Sequence, residues 1–157
     1  MPKPSHFSRD GAVTMVDVSS KRATRRVARA EAVVFMGAAA FRALREATLA
    51  KGDALTTAQI AGIAAAKRTD ELIPLAHALP LGSIDVRFEW KPPNRLRIEA
   101  EARTNARTGV ELEALVAATV AALTIYDMTK ALDKGIAIER VALLEKRGGK
   151  SGTWRRR

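Results

Sequence analysis

Asp127, Lys130 and Lys134 follow one another at spacings of three and four residues, so on a helix one face would carry a carboxylate and two amines. Such a trio can take a proton from one atom and give it to another, which is general acid–base chemistry. It is equally the pattern of a solvated ion-pair stripe, whose members contribute little. Thr124 adds a hydroxyl one turn earlier. Glu111 and Glu113 open the same apolar stretch, and Thr108 with Glu111 has the spacing of a capping box. That accounts for Glu111 and leaves Glu113 free to line a cleft. His77 stands in LIPLAHALPL between Pro74 and Pro80. A stiff irregular segment of that kind can fix an imidazole for proton transfer near neutral pH, although a hydrogen-bonded core histidine would look the same. Lys51 falls in a turn, and Lys67 with Arg68 near a helix C-terminus, where the dipole favours cations. Lys146, Arg147 and Lys150 surround Gly148-Gly149, and a glycine turn can aim backbone amides at phosphate. The turn is no Walker loop, because Leu144 stands where the first glycine would be needed.

Composition narrows the partners. The chain has 157 residues, one domain by length, with 27 Lys and Arg against 17 acids and a net charge of +10. The sign points to an anion: a polyphosphate, a nucleic acid or an anionic membrane surface. There is no cysteine, which excludes disulfides, thiolate metal sites and cysteine nucleophiles. With only His6 and His77 available, no protein-built metal cage is expected. Aromatics make up 4%, too few for a base-stacking surface, and Trp154 with Arg155-Arg156-Arg157 reads as a solvated basic end. The N-terminus lacks a signal-peptide apolar stretch, and no run approaches the ~18 apolar residues of a membrane span. A soluble, cytoplasmic protein without membrane contact is the expectation.

The elements that must position these residues follow from periodicity. Residues 1–14 are polar and expected to be flexible, 15–152 form the domain, and 153–157 the basic tail. Met15 to Val18 alternates briefly, a basic stretch runs from Lys21 to Arg29, and Glu31 to Met36 has strand formers ended by Gly37. Ala38 to Ala50 suits a helix. A second should follow from Thr56 and Gln59, spaced as a capping box, with Ile60, Ile63 and Ala64 as its apolar face and an end near Thr69. Ser83 to Trp90 and Arg95 to Arg103 alternate with period two around Lys91-Pro-Pro-Asn94, a hairpin with charged outer faces. The longest helix should run from Thr108 to about Asp133, with Leu112, Leu115, Val116, Val120, Leu123 and Met128 on its apolar side. Ile136 to Leu144 is a last strand. The order β-β-α-α-β-β-α-β predicts an α+β sandwich with an antiparallel sheet.

Several long segments, in order, resemble the molybdenum cofactor biosynthesis protein C family (MoaC). They are MVDVS at Met15–Ser19, KGD at Lys51–Asp53, QIAGIAAAKRT at Gln59–Thr69, LIPLAH at Leu72–His77, TGVELEAL at Thr108–Leu115, AALTIYDMTKA at Ala121–Ala131 and GGKSG at Gly148–Gly152. The resemblance covers roughly Met15 to Gly152. It implies a ferredoxin-like sandwich assembled as a homohexamer, a trimer of dimers, with active sites at subunit interfaces. It implies a lyase that converts 3′,8-cyclo-7,8-dihydroguanosine 5′-triphosphate, the product of an upstream radical GTP cyclase, to cyclic pyranopterin monophosphate and pyrophosphate. No redox cofactor or metal is implied. Carried over by motif, Leu75, Ala76 and His77 contact substrate, as do Leu112 and Glu113. Asp127, Lys51, Lys130 and His77 are implied as catalytic, with Glu111, Arg26, Lys67, Lys146 and Lys150 supporting substrate binding. Lys130 beside Lys51 is expected to have a lowered pKa, giving a neutral amine base. The chain departs from the family's usual LCHPL at Ala76, which brings no thiol, and at Ala78, which brings no proline constraint. Arg107 stands where the family often has lysine. The competing readings are a basic nucleic-acid-binding protein, and a weakened paralogue that binds nucleotides without turnover.

Overall fold

The computed structural model of the protein describes residues 11–157. The first strand, β1 (Thr24–Phe35), is followed by helices α1 (Ala38–Arg45), α2 (Ala54–Ala66) and α3 (Thr69–Leu72). Then come the hairpin β2 (Leu81–Lys91) and β3 (Arg95–Ala106), helix α4 (Glu111–Thr129), and strands β4 (Ala137–Arg147) and β5 (Trp154–Arg155). The strands form one sheet in the order β2-β3-β1-β4-β5, with every neighbouring pair antiparallel. The helices pack on the sheet, giving the α+β, ferredoxin-like sandwich expected from the sequence.

Alternation decides which face of the sheet is dry. In β1, Ala28, Ala30, Ala32 and Val34 are fully buried, and Leu96, Ile98, Ala100 and Ala102 of β3 join them beneath α4. The intervening residues carry charge on the opposite face. There Arg97 reaches Glu31 at 2.6 Å, Glu89 at 3.0 Å and Glu99 at 2.8 Å, and Glu145 is shared by Arg29, Arg147 and Arg155. This ladder of opposite charges shields both Glu31 and Glu145 and keeps the open face polar.

The helix layer is built from small residues. The face of α4 that meets the core is Ala114, Ala117, Ala118, Ala121, Ala122 and Ile125. Helix α2 approaches it so closely at Gly62 that a Cβ there would lie 2.8 Å from the Ala117 carbonyl oxygen and 3.3 Å from the Ala121 Cβ. By length and hydropathy α4 would suffice to cross a membrane, contrary to the expectation that no segment comes near this; its alanine face is instead sunk into the protein core.

Several local expectations are corrected. Met15 to Val18 forms no strand, and β1 takes in most of the basic stretch from Thr24 onward. Part of the expected loose segment, residues 1–10 with His6, lies outside the described residues. Asp53, not Thr56, caps α2, accepting from the Thr56 amide at 3.0 Å, while Gln59 donates to the Val86 carbonyl instead. Asp wins because its carboxylate sits one turn ahead of the free amides. The dry face of α2 is Ala54, Ala58, Gly62 and Ala66, and Ile60 is 63% exposed. On α4, Leu112 and Leu123 likewise face outward. The helix begins after Val110, and no side chain caps it, so Thr108 and Glu111 form no capping box. The basic end is not a free tail: Trp154–Arg155 pairs with β4, and Arg156 Nε donates to the Leu143 carbonyl.

Candidate active site

Asp127 lies in the last turn of α4, where it is exposed, and gathers two amines. Lys130, the C-cap residue, places Nζ 2.6 Å from Asp127 Oδ1. Lys51 arrives from the turn ahead of α2, its Nζ 3.1 Å from Oδ2 and 2.7 Å from the Asp127 carbonyl oxygen. Gly52, at φ +94°, supplies the left-handed residue that turn requires. The bonds from Lys130 and Lys51 hold the Asp127 carboxyl below its ordinary pKa. Asp127 in turn pushes the Lys130 amine up, so the expected neutral amine is corrected: in this cluster Lys130 is a cation and a proton donor. Thr124 is spent on the Val120 carbonyl at 2.8 Å, and Lys134 forms no ion pair with Asp127.

The N-terminal end of α4 borders a cleft of about 370 Å³. Leu75, Ala76 and His77 form one wall, Glu111, Leu112 and Glu113 another, and Lys21 reaches it from the segment before β1. His77 Nε2 lies 2.7 Å from the Val16 carbonyl oxygen. A carbonyl only accepts, so Nε2 carries the hydrogen of this bond. The stiff LIPLAH segment therefore does hold its imidazole, by a bond to the strand-less 15–18 segment. Glu113 is 4% exposed, and burial raises its carboxyl to about 7, with Glu111 and Asp70 adding negative potential. A carboxyl near neutrality can give or take a proton at working pH.

Residues 15–149 match the MoaC family. This chain belongs to that family. It is 56% identical over 152 residues to the cyclic pyranopterin monophosphate synthase of Nitratidesulfovibrio vulgaris, covering 96% of this chain and 94% of the relative. It is 58% identical over 149 residues to the synthase of the same name from Desulfovibrio desulfuricans, covering 94% and 91%. A third, from Thermomicrobium roseum, is 50% identical over 157 residues, covering 99% and 95%. The nucleic-acid reading is not favoured.

In this MoaC-family chain the remaining motif residues divide between the ends of α4. Lys146 pairs with Glu111 at 3.0 Å, beside a narrow cavity that Arg26, Gly109 and Gly148 also line. Lys150 is exposed on the glycine loop, and Lys67 is the exposed C-cap of α2, not part of the cleft wall. So Leu75, Ala76, His77, Leu112, Glu113, Glu111, Arg26 and Lys146 gather at one end, while Asp127, Lys51 and Lys130 gather at the other. From Glu113 to Asp127 the helix rises roughly 21 Å. Within one chain the two groups do not meet. Sequence reasoning missed Lys21 and Gly109. The first was hidden in a basic stretch read only as charge. The second leaves room for the Glu111 carboxylate, whose Oε2 lies 1.8 Å from where a Cβ would stand.

Proposed function

We propose that this protein forms cyclic pyranopterin monophosphate from 3′,8-cyclo-7,8-dihydroguanosine 5′-triphosphate, releasing pyrophosphate, as a lyase of molybdenum cofactor biosynthesis. The observation that carries this reading is the grip of Asp127 on Lys51 and Lys130, within the residues 15–149 that match the family. The conversion opens one ring, builds a pterin–pyran system, and drives a sugar hydroxyl onto the α-phosphorus while pyrophosphate leaves. Asp127, Lys51 and Lys130 carry the proton transfers as a hydrogen-bonded group. His77 and Glu113 orient base and sugar, with Leu75, Ala76 and Leu112 packing against them. Arg26, Lys67, Lys146 and Lys150 offset triphosphate charge, and Glu111 steers Lys146.

Residues 15–152 act as the synthase domain, in a cytoplasmic homohexamer arranged as a trimer of dimers. Each site joins the Asp127 cluster of one subunit to the His77 cleft of another. The roughly 21 Å between these groups along α4 supports such sharing, because proton transfer works only within hydrogen-bond reach. The substrate comes from an upstream radical GTP cyclase.

The test is incubation of the purified protein with the cyclised triphosphate, with detection of cyclic pyranopterin monophosphate and pyrophosphate. Both products are expected in equal amounts. Binding of the triphosphate without either product would overturn the proposal.

A further inference from the structure

The guanidinium of Arg26 is held in an unusual way. No carboxylate pairs with it among the described residues: Nη2 donates to the Arg107 carbonyl at a long 3.4 Å, and the buried Nε has no partner. A buried guanidinium N–H without an acceptor is costly, so the group is kept in place by what surrounds it. One side of it is the glycine loop. Gly148 and Gly149, at φ +103° and +76°, wrap the loop against β1. A Cβ on Gly149 would lie 2.1 Å from Arg26 Nη1 and 2.8 Å from Cζ, whereas one on Gly148 would lie 2.3 Å from the Arg25 carbonyl oxygen. The two glycines thus differ in kind. At Gly148 a methyl meets the rigid strand. At Gly149 it meets only the far end of a flexible side chain, which yields by moving the charged head.

We infer that Gly149 is a positioning residue: by lacking a side chain it lets the Arg26 guanidinium lie across the loop, beside the cavity where Lys146 and Glu111 also stand. This rests on Arg26 being one of the cations that grip the substrate's phosphates, as proposed above. With Gly149 present, the charge needs no acid to fix it and keeps its remaining N–H groups for an anion. The glycine acts on phosphate only through Arg26, so removing the arginine must remove the glycine's influence.

The experiment compares Gly149→Ala, Arg26→Ala, the double variant and Gly152→Ala. Gly152 also has a left-handed φ, +64°, but nothing within 4 Å of an added Cβ, so it reports backbone strain alone. Steady-state turnover and calorimetric titration with inorganic pyrophosphate are measured for each. Gly149→Ala is expected to raise KM about tenfold and weaken pyrophosphate binding similarly, the loss of one charge-assisted contact, with kcat within about twofold. The double variant should be no worse than Arg26→Ala, and Gly152→Ala should behave as the parent. Equal effects of Gly149→Ala and Gly152→Ala, multiplying losses in the double variant, or unchanged pyrophosphate binding in Arg26→Ala would each overturn the inference. If the parent binds pyrophosphate with this coupling yet makes no product, the reaction assignment fails and the role of Gly149 stands. Should Gly149→Ala alone fold poorly, the double variant should melt higher than it, since the three atoms nearest the new methyl all belong to the Arg26 guanidinium and are then gone; an equal or lower melting temperature would overturn the inference.

Discussion

Mixing Asp127→Asn protein with His77→Ala protein should recover turnover that neither variant has alone. The reasoning starts from one helix. Glu113 and Asp127 are both on α4, and at 1.5 Å per residue their Cα atoms stand roughly 21 Å apart, far beyond the ~3 Å at which a proton moves. One chain therefore cannot close both groups on the same reacting atoms. If each site takes its aspartate from one subunit and its histidine from another, a hybrid oligomer contains some sites with both parts intact. For equal amounts and random exchange, the aspartate donor is sound half the time and the histidine donor half the time. Roughly a quarter of sites are then restored, provided the assembly is closed and symmetric. The assay is co-expression of the two variants with different affinity tags and sequential purification, so that every oligomer measured contains both chains. Product formation near a quarter of the parent rate, scaled to the measured ratio of chains, is expected. Hybrids shown by tag recovery to contain both chains, yet as inactive as the separate variants, would refute a site shared between subunits.

Three further outcomes follow. Lys51→Ala should lower kcat by at least about 10³-fold with the melting temperature little changed, because the lysine is exposed and its bonds to Asp127 serve proton transfer; stopped-time product assays with calorimetric melting check both halves. Glu113→Gln should stabilise the protein at alkaline pH. The folded carboxyl sits near 7, above its unfolded value, so the unfolded chain releases its proton first and stability declines as pH rises from about 4.5 to 7. The variant should gain roughly 2–3 kcal/mol over the parent at pH 8 and nothing at pH 4, measured by urea unfolding at both. Gly62→Ala should cost about 1–3 kcal/mol despite better helix propensity worth ~1 kcal/mol, because its methyl meets the Ala117 carbonyl, and equilibrium unfolding will show the sign.

How far these features could be read from residues alone depended on side-chain size. The β2–β3 hairpin was plain, because SIDVRFEW and RLRIEAEAR alternate large or charged residues with apolar ones. The helix faces were read only in part: Ile63, Leu115 and Met128 do pack against the core, but its centre lies on the small residues beside them. Ile60, Leu112 and Leu123 carry the larger apolar surface, so hydrophobicity favoured burying them. Yet the close approach of α2 and α4 admits only Ala and Gly, and geometry outweighed transfer energy. Capping failed for a similar reason: Thr56 had the right spacing to Gln59, but Asp53 offered a better acceptor three residues earlier. The Asp127–Lys130 pair followed from helical spacing, whereas Lys51 joined it only through the motif resemblance, since a turn 76 residues away leaves no local signal. The sign of the Lys130 perturbation was missed because the aspartate between the amines outweighs their mutual repulsion.

Charge tells a parallel story. A surplus of ten positive charges named an anion but could not choose its kind. Pairing chooses. On the open face of the sheet the arginines are largely consumed by acids, Arg97 by three of them and Glu145 by three arginines in turn, so that face offers no continuous basic stripe for a polyanion to track. Among the described residues, Lys21, Arg26 and Arg107 have no carboxylate partner and border the His77 cleft or its adjoining cavities, and Arg42, Arg45, Lys67, Arg68 and Lys134 likewise have none on the helix side of the protein. The unpaired cations at the recess, beside a broad face where charge is neutralised, suit a compact phosphorylated molecule.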